Sequence, residues 1–265
     1  MVIASLCFAT VTGSNALLPT RIQQSPMMGL NDRRNSTRVT QQLMDTWPWK
    51  QDYEDVRIKI RRLEAARDFT LALKLCREFD LKAQRKANEA GNFSHEEFDY
   101  EFMIGHYAEA KEELLKWQDT DPQLSFLAGF LEAKVGIPAQ VDLEKCKEEY
   151  VSRFPKEWRV DSYWPDGVGA ESVQVQCALA TSYHVRDLIK LRLLRLAQSV
   201  SPNNPLVCLE ICHCDVSPSE RLRLIERAIA NSDGTFRRYL EDWHREYQEE
   251  ISKVRKQLLT WMAPI

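Results

Sequence analysis

Residues 105–122 read GHYAEAKEELLKWQDTDP, and the spacing within this stretch decides the fold class. A glycine, a tyrosine, an alanine and a leucine stand at offsets of 0, 2, 5 and 9, and Asp-Pro follows at offsets 16 and 17. Glycine permits a close turn, the ring wedges between two helices, and alanine lets their backbones approach. Proline stops one helix and begins the next. The stretch therefore predicts a turn and a closely packed helix, built on Gly105, Tyr107, Ala110 and Leu114.

This pattern resembles the turn and second helix of the tetratricopeptide repeat (TPR) family, whose unit is a helix–turn–helix of about 34 residues. Weaker copies extend over residues 52–231, with Pro122 and Pro155 33 residues apart and Pro202 after an insertion at 156–170. The resemblance implies an all-α fold of stacked helical hairpins, a TPR-like α-solenoid, over residues 45–235. Such repeats are scaffolds, and their partners are recognised by variable surface residues.

Residues 236–265 predict a long C-terminal amphipathic helix. Apolar residues recur at intervals of three and four with no glycine or proline among them, at Phe236, Leu240, Trp243, Tyr247, Ile251, Val254, Leu258 and Trp261. A helix that caps the last repeat is the first interpretation of this stripe. A coiled-coil seam is the second, and it predicts self-association through residues 236–262.

Composition fits a helical protein and narrows the range of partners. The chain has 265 residues, with 44% hydrophobic residues, 9 Gly and a net charge of −3, which does not fit a loop-rich all-β fold. Residues 45–265 carry 32 basic and 38 acidic side chains, whereas nucleic-acid binders typically have a basic surface. Nucleic acid is therefore a disfavoured partner. The sequence has no run of apolar residues long enough to predict a membrane span. The odd number of cysteines, seven, favours free thiols in a reducing compartment.

Residues 1–44 differ from the rest of the chain and predict a targeting peptide or a disordered tail. They contain four arginines and one acidic residue, Asp32, and their first twenty residues carry no charged side chain. This composition is typical of an organellar transit peptide, with a plastid favoured over a mitochondrion. A secretory signal with its apolar region at residues 2–12 is an alternative, and so is a tail without any targeting role in a cytoplasmic protein.

No catalytic motif and no cofactor-binding motif occurs in the sequence. The densest group of candidate ligands is Cys208, Cys212, His213 and Cys214. On a helix, Cys208 and Cys212 share one face, whereas His213 and Cys214 point about 100° and 200° further round. Zinc needs four convergent ligands, so the sequence predicts no catalytic, cofactor or metal site, and the cysteines are interpreted as core residues.

These observations favour a non-enzymatic interaction scaffold or assembly adaptor that binds a protein or peptide. The predicted contact residues lie on the groove face of one helix and in the 156–170 loop: Phe126, Phe130, Lys134, Trp158, Tyr163 and Trp164. Exposed aromatic residues dominate many protein interfaces. An RNA-binding helical repeat, an enzyme and an enzyme accessory subunit remain the alternatives. Trp117 is predicted to be buried where two helices meet.

Overall fold

The structure, a computed structural model, describes residues 50–87, 94–116 and 124–262. The predicted targeting segment 1–44 and Trp117 lie outside these described residues. Within them the chain forms α-helices joined by turns and two short 3-10 helices, Lys156–Trp158 and Val160–Tyr163, and no strand, which confirms the all-α class. The helices are α1 Lys50–Ala65, α2 Phe69–Ala87, α3 Ser94–Ile104, α4 Tyr107–Leu115, α5 Leu124–Lys134, α6 Leu143–Val151, α7 Ala170–Thr181, α8 Asp187–Val200, α9 Pro205–Cys212, α10 Pro218–Ala230 and α11 Gly234–Met262. No helix of the described ranges is both long and apolar enough to cross a bilayer.

The turns after α1 and α3 share one backbone conformation. Gly105 has a φ of 94°, in the left-handed region that glycine adopts without strain. Arg67 occupies the equivalent place between α1 and α2, with a φ of 59°. Asp68 then begins α2, because its carboxylate accepts a hydrogen bond from the backbone N–H of Leu71 at 3.1 Å. The first two helix pairs are therefore joined by similar tight turns.

Local signals also fix where the later helices begin. Pro205 and Pro218 occupy the first turn of α9 and α10, where no intrahelical N–H donor is needed. Asn204 caps α9 by accepting hydrogen bonds from two backbone N–H groups, and Ser217 caps α10 by accepting one from Glu220 at 3.2 Å. These caps satisfy N–H groups that a helix leaves unpaired at its start.

Successive helices pack on each other, with one departure from simple pairing. Helix α5 makes its most extensive contact with α7, the helix after next, and not with α6. The linker residue Val141 lies against Gly129 of α5, and Cys177 of α7 lies beside the same glycine. A side chain at position 129 would separate these elements, so glycine permits the close approach of α5 and α7.

The core has two parts, and helix α3 contributes to both. Phe98 and Phe102 belong to a large cluster that runs from α3 to α11. Tyr100, between them in sequence, belongs to a smaller cluster formed with α1 and α2. Helix α3 is therefore buried on two sides, and it joins the first helix pair to the rest of the protein.

Residues 234–262 form one continuous helix, as the apolar spacing predicts. Phe236 and Leu240 are fully buried in the large cluster, and Tyr239, Trp243 and Tyr247 pack against it. Every residue from Ser252 to Gln257 is exposed. The first half of α11 therefore packs on the core, whereas residues 252–257 lie outside it.

Candidate interaction surfaces

The structure places the predicted groove residues of α5 inside the protein. Phe126 is 7% exposed and Phe130 is 0% exposed, and the ring centroid of Phe130 lies 6.1 Å from that of Phe102. Lys134 is partly buried, with its ammonium group 5.8 Å from the ring centroid of Tyr107. This corrects the prediction of an exposed groove at Phe126 and Phe130, because both rings are buried in the large cluster and Phe130 lies against α3.

The aromatic side chains of the 156–170 loop contact the start of α11. The Trp158 ring stacks on Tyr239 with centroids 4.2 Å apart. The Tyr163 hydroxyl donates a hydrogen bond to Oδ1 of Asp233 at 2.5 Å and accepts one from the Asp233 N–H at 2.7 Å. Trp164 is buried, and its Nε1–H donates to Gln176 at 3.2 Å. These rings, predicted to bind a partner, contact the protein's own C-terminal helix and core.

The cysteine cluster of α9 does not form a ligand set. The Sγ atoms of Cys208, Cys212 and Cys214 each lie near a different backbone carbonyl, at 3.9, 3.7 and 3.5 Å. Burial raises the pKa of the Cys214 thiol to about 11 and that of Cys212 further, so both remain protonated at neutral pH. Within the described ranges no three His, Cys, Asp or Glu side chains are placed to hold a metal ion.

A buried carboxylate links three parts of the fold. Glu210 of α9 is fully buried, and its Oε1 accepts hydrogen bonds from the Tyr150 hydroxyl at 3.0 Å and the Tyr183 hydroxyl at 2.7 Å. Its Oε2 lies 3.9 Å from Nδ1 of His213. Burial alone would raise the pKa of Glu210, but His213 and Lys190, together with the Tyr183 hydrogen bond, lower it below its usual value.

Two partly buried cations complete this link. The Arg153 guanidinium lies 3.8 Å from the ring centroid of Tyr183, and the Lys190 ammonium lies 4.7 Å from the same centroid. Both positive charges therefore lie near the phenol that binds the Glu210 carboxylate. Because that carboxylate contacts protein hydroxyls, the cluster joins α6, the turn after α7, and α9 as a structural connection.

Three acidic residues of α3 are buried and paired with arginines from neighbouring helices. Arg77 of α2 forms an ion pair with Glu101 and approaches Glu97 at 3.8 Å. Arg186, which precedes α8, pairs with Asp99 and lies 3.5 Å from Glu64 of α1. These pairs connect the first helix pair, α3 and α8, and they explain how three carboxylates of α3 are buried inside the protein.

The buried Asp99 predicts a dependence of stability on pH. Burial raises the pKa of this carboxyl to about 7, although Arg186 acts in the opposite direction. Between about pH 4 and pH 7 the native state therefore binds more protons than the unfolded state, and the free energy of unfolding falls as the pH rises. Because asparagine does not titrate, the stability of the protein relative to its Asp99→Asn variant should fall by on the order of 2 kcal/mol from about pH 5 to about pH 8.

Denaturant unfolding of both proteins across this range measures that change. Glu144→Gln, at an exposed position of α6, is the control and should leave the pH profile unaltered. A constant stability difference between the protein and Asp99→Asn would contradict a raised pKa.

An open apolar groove lies between α1 and α2. It has a volume of about 400 Å³, with Leu63, Leu71 and Leu75 along it. Leu71 is 47% exposed, although leucine normally gains stability from burial. Three basic residues and one acidic residue form its rim: Lys59, Arg62, Lys74 and Glu78.

The groove continues along the helix pair into a second recess. The two recesses share Lys59, Leu75 and Glu78. In the second recess an ion pair of 2.8 Å joins Lys82 to Asp52. At the rim of the first, Lys59 and Arg62 form no ion pair with any residue of the described ranges. The groove is therefore apolar inside and positive at one end.

This groove was not among the sequence predictions, although the sequence contains a signal for it. The inward face of α2 carries Ala72, Leu73, Cys76 and Phe79, and all four are buried. Leu71 and Leu75 form a second apolar pair with a spacing of four. Leu75 packs partly against the smaller cluster, whereas Leu71 is 47% exposed, so the apolar surface of α2 extends beyond its buried face.

The chain matches no protein-family model, no curated protein and no solved structure in the comparisons made.

Proposed function

We propose that this protein is a non-enzymatic interaction scaffold with a TPR-like helical-repeat arrangement. Its groove between α1 and α2 binds an amphipathic helical segment of a partner protein, with acidic residues beside the apolar face of that segment. The observation that supports this proposal is the open apolar groove along Leu63, Leu71 and Leu75, in which Leu71 is 47% exposed, beside the cations Lys59 and Arg62.

The chemistry of the groove selects this kind of ligand. A helix that places leucines at i, i+3 or i+4, and i+7 presents an apolar stripe that fits a hydrophobic groove. Burying one leucine side chain contributes about 1.5–3 kcal/mol, so two or three such contacts are sufficient for moderate affinity. The basic rim favours carboxylates and disfavours lysines on the ligand, which provides specificity.

The position of the groove also supports a binding role. Terminal units of helical-repeat proteins usually carry a polar outer face, because an apolar one promotes association. Here Leu71 of the first described helix pair is 47% exposed in the groove. An RNA ligand would require stacking rings, and the residues around the first recess are aliphatic or charged.

Peptide binding tests the proposal. The probe is a labelled helical peptide of about 18 residues, with leucines on one face and glutamates on its flanks. Leu71→Glu should weaken its binding by about tenfold or more, because the new carboxylate enters the groove and repels the flanking glutamates. Fluorescence anisotropy measures the binding, and the variant should keep its stability because Leu71 is exposed.

Leu115→Glu is the matched control. Leu115 is 52% exposed on α4 and is not among the residues lining the groove, so this variant introduces the same charge on a different surface. It should bind the peptide as the unaltered protein does. Equal loss of affinity in both variants, or stronger binding of a peptide with lysines in place of the glutamates, would refute the proposed groove.

A further inference from the structure

Residues 252–257 of α11 extend beyond the packed core. Among the described side chains of this helix, the last that packs against the core is Tyr247, whose hydroxyl accepts a hydrogen bond from Arg221 at 3.3 Å. The helix continues from there to Met262, about 20 Å further. Within this segment Val254 is 50% exposed, and every residue from 252 to 257 is exposed.

This segment keeps an apolar register, although the core does not cover residues 252–257. Tyr247, Ile251 and Val254 are spaced by four and three residues, and the sequence continues with Leu258 and Trp261 at the same alternation. Alternating intervals of four and three place residues along one seam of a coiled coil. A solvated helix end does not require such a seam, so the spacing indicates a surface that pairs with another helix.

The charges of the segment are separated along its length. Its first part carries the acidic residues Glu246, Glu249 and Glu250, and the following part carries the basic residues Lys253, Arg255 and Lys256. Two copies in parallel would place like charges side by side. Two antiparallel copies place the acidic part of one beside the basic part of the other, which is favourable in both directions.

One symmetry axis satisfies both patterns. If two antiparallel copies cross between Ser252 and Lys253, Ile251 of one copy lies level with Val254 of the other, and residue 247 lies level with residue 258. The same axis places the acidic part at 249–250 level with the basic part at 255–256. The apolar seam and the charge pattern therefore specify the same partner, which is this segment itself.

We propose that residues 247–262 form an antiparallel two-stranded coiled coil with the same residues of a second copy, so that the protein is a homodimer. The capping function then belongs to the first half of α11 and the seam to the second half. The two interpretations of residues 236–265 are thus assigned to different parts of one helix.

Analytical ultracentrifugation of the full chain tests the dimer. The expected mass is twice the 30.8 kDa of one chain. Val254→Asp places a charge in the seam and should raise the dissociation constant by about tenfold or more. Ser252→Asp introduces the same charge on the opposite side of the helix and should remain dimeric. Both positions are exposed, so unchanged circular dichroism shows that folding is retained.

The effect of salt distinguishes the two orientations. Raising the salt concentration from about 50 mM to about 500 mM screens the attraction between opposite charges and should weaken an antiparallel dimer. A parallel dimer would become tighter, because screening reduces its repulsion. A monomeric full chain at about 100 µM, a Val254→Asp variant that dimerises unchanged, or tightening with salt would each overturn the proposal.

Discussion

Glu210→Ala is expected to lower the free energy of unfolding by about 3–5 kcal/mol, one of the two largest single-residue effects that we expect in this protein. The carboxylate is fully buried, and it accepts hydrogen bonds from two tyrosine hydroxyls. Alanine leaves the hydroxyl of the completely buried Tyr150 without this acceptor and opens a cavity between α6 and α9. Urea denaturation measures the loss.

Three further variants separate the causes of that loss. Glu210→Gln retains an acceptor oxygen and should cost clearly less than Glu210→Ala. Tyr150→Phe removes one donor and should cost about 1–3 kcal/mol. When Glu210→Ala and Tyr150→Phe are combined, the total cost should be less than the sum of the two single costs, because the hydrogen bond is lost only once. A loss below about 1 kcal/mol for Glu210→Ala would show that the connection contributes little to stability.

Gly129→Val is expected to destabilise the protein by roughly 3 kcal/mol, through overpacking instead of a cavity. A Cβ atom at this position would lie 2.8 Å from Cβ of Val141 and 3.2 Å from Sγ of Cys177. Both distances are shorter than normal contacts, so the linker before α6 or helix α7 must shift. The loss of packing between α5 and α7 should appear as a lower melting temperature.

Gly169→Ala is the control for this effect. Gly169 has a negative φ, and no atom lies within 4 Å of an added Cβ, so the change should cost less than about 1 kcal/mol. Val141→Ala removes one of the two Val141 atoms that collide and should therefore restore part of the stability of the Gly129→Val variant. A Gly129→Val variant as stable as Gly169→Ala would contradict the close approach at this position.

The sequence predicts the helices of this protein well because helices depend on local spacing. The stripe from Phe236 onward predicts the single helix α11, since intervals of three and four residues define one helix face. Gly105 predicts the turn between α3 and α4, and Arg67 marks the corresponding turn after α1. The beginnings of α9 and α10 follow from a proline and the polar residue before it.

The arrangement of the helices depends on contacts that local spacing does not encode. Residues 126–131 of α5 are apolar almost without interruption, so the pattern does not show which of its faces is covered. Phe126 and Phe130 were predicted to line a groove because the resemblance to the TPR family places a groove face on this helix, whereas both rings are buried in the large cluster. Trp158 and Tyr163 have the composition of an interface, and composition alone does not show that their partner is a helix of the same chain.

The attachment of the 156–170 loop to α11 has a consequence for the order of folding. Tyr163 and Asp233 are 70 residues apart in sequence, whereas helix pairs such as α3 and α4 form from adjacent segments. Contacts between distant segments form late, since closing a long loop costs entropy before the contact is made. At a synthesis rate of ~5–20 residues per second, roughly 4–14 s pass between the synthesis of Tyr163 and that of Asp233. The rings of Trp158 and Tyr163 lack their partners in α11 during this time. During that interval the nascent chain exposes an aromatic surface that a chaperone can bind.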